Sequence, residues 1–121
     1  GVWSEDSTLS FDNRAGRNSF LSSSGRTTVP VCSVDGLLQD KPCTFIKMDV
    51  EGAEREALLG AAKTIRQKNP KLAFSGYHRS EDLFSLPLLL KEIEPSYRIY
   101  LRHHPYLPAW ETNFYAVADK I

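Results

Sequence analysis

Two short polar clusters, each closing an apolar run, hold the residue types that can do chemistry. The first is Asp49-Val50-Glu51-Gly52-Ala53-Glu54, and the second is Gly76-Tyr77-His78-Arg79. Asp49 interrupts a segment that is otherwise Ile, Met and Val, so its carboxylate has a reason to be there beyond solubility. It can accept a hydrogen bond from an ammonium or hydroxyl, or give an oxygen to a divalent cation. Glu51 can do the same. Glu54 reads more simply as an acid complementing a helix N-terminus. Gly52 marks a close backbone approach or a special φ/ψ at the turn. His78 is the best general-base candidate, because an unperturbed imidazole titrates near neutrality. A histidine at a strand end is also a common structural residue, and both readings stand at this point.

Other candidates are weaker. His103 and His104 are adjacent, so on a strand they face opposite sides and make a poor metal pair. Cys32 and Cys43 are too few for a disulfide framework or a zinc site, and a buried free thiol is the expectation for each. The seven glycines form no G-x-G-x-x-G, P-loop or G-x-S-x-G, and there is no H-E-x-x-H.

The elements that would position these clusters alternate along the chain. Val29–Val34 is a β-branched run, followed by a short turn or helix from Asp35 through Leu38. Residues 44–50 read as a buried strand after Pro42. Ala53–Lys68 reads as one helix, with Leu58, Ala61, Ala62 and Ile65 on one face, stopped by Asn69-Pro70. Leu72–Tyr77 is the next strand. A helix over about 81–94 follows, and Pro87 suggests two pieces with Ser85 capping the second. Tyr97–Arg102 and Asn113–Ala118 are two more strands, joined by a proline-and-aromatic loop at 105–110. That loop has no room for a crossover helix, so the two strands are expected to pair antiparallel. Residues 1–28 are polar. There Val2-Trp3 and Leu9/Phe11 flank a turn at 5–7 and suggest a hairpin, with Asn13–Thr28 as a loop. The expected domains are therefore 1–28, hairpin and polar loop, and 29–121, an α/β unit. In open α/β sheets ligands bind beyond the carboxyl ends of strands, where both polar clusters fall.

Composition narrows the function classes. The 121 residues carry 15 Lys+Arg and 15 Asp+Glu, with 41% hydrophobic residues. One core is what this supports. A neutral balance argues against nucleic acid, which needs a basic stripe. No apolar run approaches the roughly 20 residues of a membrane span. No basic-then-apolar leader opens the sequence, and with free thiols the expected location is cytoplasmic.

The segment Phe45-Ile46-Lys47-Met48-Asp49-Val50-Glu51-Gly52-Ala53-Glu54 resembles the central motif of the FkbM-family methyltransferases, K-[IM]-D-V-E-G-[AY]-E. The likeness continues through Leu58-Leu59-Gly60-Ala61, Gly76-Tyr77-His78, Asp82-Leu83 and Leu101-Arg102-His103-His104 to Thr112-Asn113-Phe114-Tyr115-Ala116. Upstream, Val31-x-Ser33-Val34-Asp35-x-Leu37 is similar to a strand leading into the family's V-x-T-L-D-x-L turn. The resemblance implies a Rossmann-like sheet with an antiparallel last strand and an S-adenosylmethionine-dependent transfer to a hydroxyl of a sugar or other small metabolite. It also implies that this chain corresponds to the C-terminal part of that fold. The first two strands and the glycine-rich loop are missing, and residues 1–28 match the third-strand region. The cofactor site is then incomplete and the isolated chain is expected to be inactive, with an exposed sheet edge free to pair with another chain. Carried over by position, Asp49, Glu51 and Gly52 lie on the cofactor side. Tyr77 and Arg79 lie towards a small-molecule acceptor, and Asp49 and His78 are the catalytic pair. A divalent metal is an option that the motif does not support by itself. The alternative class is a non-enzymatic α/β interaction module.

Overall fold

A computed structural model describes residues 1–12, 20–21, 25–105 and 111–119. Four strands form one sheet: β4 (Phe45–Met48), β5 (Lys71–Ser75), β6 (Tyr97–His103) and β7 (Thr112–Ala118). Their order is β4-β5-β7-β6. β4 and β5 run parallel, with Met48 opposite Phe74, while β7 lies antiparallel to both β5 and β6. All four expected strands of the α/β unit thus share a sheet, and the last two pair antiparallel as their short connection requires.

Strand alternation gives this sheet two unlike faces. Met48, Leu72, Phe74, Phe114 and Ala116 join Leu58, Ile65, Leu86, Leu90 and Ile93 of the helices in one buried core. Phe74 and Phe114 stack there with ring centroids 5.2 Å apart. Register places Lys47, Ala73, Tyr115 and Tyr100 across the opposite face, with Ser75 beside Asn113 nearer the carboxyl ends of β4 and β5.

The helix expected over 53–68 is two helices, α2 (Glu54–Leu59) and α3 (Ala62–Lys68). The break lies at Gly60-Ala61, and a residue far away in sequence holds it open. The Asp35 N–H donates to the Gly60 carbonyl at 2.8 Å. The Asp35 carboxylate then accepts from the N–H groups of Lys63 and Thr64 at 2.9 and 2.8 Å. Donors that a continuous helix would have used internally are satisfied from α1 (Val34–Leu38) instead. Gly60 suits the junction because a methyl there would run into the Trp3 carbonyl.

The opposite correction applies to the fourth helix. α4 is one helix, Asp82–Ile93, with Pro87 inside it, and Ser85 donates its backbone N–H to Glu81 rather than starting a second piece. Pro87 removes only the bond to the carbonyl of Leu83, an exposed residue of the first turn. Leu86, Leu89, Leu90 and Ile93, on both sides of the proline, are buried and fix the axis.

The N-terminal segment also differs from the expected hairpin. β1 (Ser7–Asp12) pairs antiparallel with β3 (Thr27–Val31) and with β2 (Phe20–Leu21), forming a separate three-stranded sheet. Val2 bridges Cys32 rather than the segment around Leu9. Residues 13–19 and 22–24 of the expected loop, and most of the 105–110 loop, lie outside the described residues. Among the described residues both cysteines are free, and each is half-buried rather than buried. No helix among them is long and apolar enough to cross a membrane.

Candidate functional site

Asp49 and the turn after it follow β4 directly, and Gly76–Arg79 follows β5. Because β4 and β5 are parallel neighbours, the two polar clusters emerge side by side. The β4–α2 turn is tight: the Ala53 N–H donates to the Val50 carbonyl at 3.1 Å. The two residues between them, Glu51 and Gly52, have φ of 52° and 93°. Glycine adopts that region freely and glutamate does so at a cost. Gly52 also meets the close approach expected of it. A Cβ there would sit 3.2 Å from Arg79 Nε, so the Arg79 side chain lies against the turn.

Glu54 holds these parts together. It is fully buried, and its two oxygens accept from the Val50 and Gly52 N–H groups at 3.0 Å each. Its Oε1 also lies 2.7 Å from His78 Nδ1. The two backbone partners are obligate donors, so the side chain is a carboxylate and Nδ1 carries the proton towards it. Burial works against the Glu54 charge, but the His78 bond and the backbone donors outweigh it and hold its pKa below the usual value. His78 is shifted the other way. Its hydrogen bond to Glu54 outweighs burial, and the charges of Glu54, Glu51 and Asp49 push it further up.

With Nδ1 fixed on Glu54, the other ring nitrogen is aimed at the motif's two remaining acids. Nε2 lies 3.5 Å from Asp49 Oδ1 and 3.4 Å from Glu51 Oε2. The imidazole is nine-tenths buried, while both carboxylates are about half exposed. Asp49 Oδ1 also accepts from the Ser75 hydroxyl at 3.1 Å. Tyr77 packs its ring on His78, centroids 4.4 Å apart. Burial raises its phenol pKa, and the charges of Asp49 and Glu111 add to the shift.

Beside Asp49 a cavity of about 220 Å³ opens on the sheet face away from the helices. Its lining includes Lys47, Asp49, Ser75, His104, Asn113 and Tyr115. This mixture of donors and acceptors beside the Tyr115 ring suits a hydroxylated ligand. His103 and His104 do not act as a pair. His103 meets Thr112 at 2.8 Å and His104 meets the Tyr115 hydroxyl at 3.0 Å.

Five of the residues singled out in the sequence, Asp49, Glu51, Gly52, His78 and Arg79, thus meet at one junction, with the Tyr77 ring tilted against His78. Glu54 is the member that sequence reasoning undervalued. It does satisfy backbone donors near the helix start, but it also grips the histidine. The available signal was the motif itself, which ends in an acid three residues after Glu51. Asp82 was missed as well. It is a second buried acid, its pKa raised by burial and by Glu54, with Oδ2 lacking a hydrogen-bond partner among the described residues.

A mixed α/β sheet with acids and a histidine gathered at two adjacent strand ends defines the class. Residues 3–109 match the family model of the methyltransferase FkbM domain, and the chain belongs to that family. It is also similar to the crystal structure of a methyltransferase FkbM from Methylobacillus flagellatus KT. The TM-score is 0.75 at 36% identity, over 96% of this chain and 26% of that one. The chain therefore spans about a quarter of that protein's length. A comparison with curated proteins finds no match.

Proposed function

We propose that the complete protein transfers a methyl group from S-adenosylmethionine to a hydroxyl oxygen of a sugar or other small metabolite. The observation that carries this reading is the Glu54–His78 pair, which ties the family motif after β4 to the end of β5 and aims Nε2 at Asp49 and Glu51. The sheet order is consistent with the C-terminal portion of a Rossmann-like fold. In that reading the edge of β4 that is unpaired among the described residues is where the first strands would add, and residues 1–28 belong to the third-strand region.

The residues present fit one end of the cofactor. Asp49 and Glu51 offer half-exposed carboxylates, and Gly52 offers backbone without a side chain, to its amino-acid moiety. When bound, S-adenosylmethionine supplies an electrophilic methyl group. Tyr77, packed on His78, and Arg79, lying against Gly52, border the acceptor side. The acceptor hydroxyl would sit against His78 and Asp49, and its proton would leave to this histidine–carboxylate group as the methyl carbon passes from the sulfonium sulfur, which keeps the electron pair of the broken C–S bond, to the oxygen. Glu54 fixes the ring so that Nε2 faces the reaction, which saves reorganisation at the moment of transfer.

The test is transfer of a labelled methyl group by the complete protein to a panel of sugars and small hydroxylated metabolites. His78→Ala is expected to lower turnover by about 100- to 10,000-fold while S-adenosylmethionine affinity is kept. A variant within about twofold of wild type at saturating substrates, across pH 6–9, removes His78 from the mechanism. The 121-residue chain has no glycine-rich loop, so by calorimetry it is expected to bind the cofactor weakly or not at all.

A further inference from the structure

The junction gathers acids around one histidine, with the Arg79 side chain lying against the turn beside them. Three carboxylates surround one imidazole: Glu54 at 2.7 Å on Nδ1, with Asp49 and Glu51 at 3.5 and 3.4 Å from Nε2. Asp82, buried and within electrostatic reach of Glu54, adds a fourth acid. Nδ1 is occupied, so what Nε2 does decides the character of the site. Nε2 sits nearly equidistant from the two oxygens, at 3.5 and 3.4 Å, in a ring that is nine-tenths buried.

That spacing is the spacing of ligands around one ion. With donor atoms about 2.1 Å from a tetrahedral centre, neighbouring donors lie about 3.4 Å apart. The two edges from Nε2 measure 3.5 and 3.4 Å, and Asp49, Glu51 and His78 each bring one ligand atom within 4.8 Å of the other two. Behind the histidine stands a buried carboxylate on its other nitrogen, the arrangement that fixes tautomer and orientation in metal-bound histidines.

We propose that His78 Nε2, Asp49 Oδ1 and Glu51 Oε2 bind one divalent transition-metal ion of the Zn²⁺ type, with Glu54 as the outer carboxylate. One imidazole and two carboxylates suit Zn²⁺, whereas Ca²⁺ calls for six or more oxygens. A fourth position remains open for an oxygen of the acceptor. Binding of the ion stands on the geometry alone; its use in catalysis rests on the methyl-transfer reading. There the ion would polarise the acceptor hydroxyl, and within the histidine–carboxylate group the proton would pass to the carboxylates, to whichever oxygen of Asp49 or Glu51 is not bound to the ion.

Calorimetric titration of Zn²⁺ into the chelator-stripped chain at pH 7, without methyl donor or acceptor, tests the site. One saturable site is expected. Glu51→Gln, an exposed change that leaves the core intact, is expected to weaken it at least tenfold, and Glu54→Gln by about 10- to 100-fold. Folding of each variant is checked by circular dichroism. The His78 ring resonances should shift on Zn²⁺ addition, whereas those of His103 and His104 should not. No saturable binding by the folded chain overturns the proposal. So does binding that Glu51→Gln leaves unchanged, which would place the ion at another histidine or at a thiol. Either result leaves methyl transfer standing, because the labelled-transfer assay reads it independently.

Discussion

Replacing Glu54 by Gln changes one oxygen to an amide nitrogen, yet it strikes three hydrogen bonds at once. The carboxylate accepts from Val50 N, Gly52 N and His78 Nδ1 at 3.0, 3.0 and 2.7 Å. A glutamine whose oxygen takes the place of Oε1 keeps Val50 and His78 but turns an NH₂ donor towards the Gly52 N–H. One charge-assisted bond is lost, worth about 1.5–3 kcal/mol, and two become neutral bonds at a cost of about 0.5–1 kcal/mol each. Burial of the charge opposes this, being the foremost influence acting against ionised Glu54, and the amide escapes part of it. The net loss should be about 2–3 kcal/mol, or a melting temperature lower by roughly 6–15 °C for a domain of this size. Urea unfolding followed by circular dichroism gives the first quantity. A proton NMR titration of His78 gives an independent second one, since losing its strongest partner should bring its pKa down. Stability within about 0.5 kcal/mol of wild type, with an unchanged His78 titration, would refute the role given to Glu54.

The same pair sets a pH dependence. Glu54 titrates below its ordinary 4.5, so its contribution is present above that value and lost as pH falls through the lowered one. His78 titrates above its ordinary 6.5, so its contribution is full below 6.5 and lost as pH rises through the raised one. With EDTA present, stability from the pair should peak between those two values, and Glu54→Gln should flatten the peak in unfolding midpoints measured against pH. Asp35→Ala removes the side chain that caps α3 from α1 and should cost about 1–2 kcal/mol in denaturant unfolding; no loss would mean the break at Gly60 is fixed otherwise. Tyr97 is fully buried, its hydroxyl donates to the Pro70 carbonyl at 2.6 Å, and burial pushes its pKa up. Tyr97→Phe should lower stability by about 1–2 kcal/mol in the same assay, and an unchanged midpoint would show the bond to be isoenergetic with water.

What the sequence determined by itself is what local signals encode. Apolar runs over 44–50, 72–77, 97–102 and 113–118 marked where the four strands of the larger sheet would lie. Asn69-Pro70 fixed where α3 stops, and Gly52 fixed a turn that needs positive φ. The run Asp49-Val50-Glu51-Gly52-Ala53-Glu54 was legible as both site and family motif. Tertiary structure decided the matters that depend on partners far along the chain. The helix over 53–68 divides because Asp35, 28 residues before Lys63, satisfies donors that helix periodicity would have kept inside. Pro87 fails to divide α4 because buried leucines on either side of it weigh more than one missing bond. β1 chose β3 over a local hairpin, a competition between strand pairings that composition does not rank. Glu54 became the residue that orients His78 only because parallel pairing of β4 and β5 brought side chains 24 residues apart to 2.7 Å. Alternation and propensity state which face a residue shows, whereas the charge a buried carboxylate keeps depends on donors that only the assembled fold supplies.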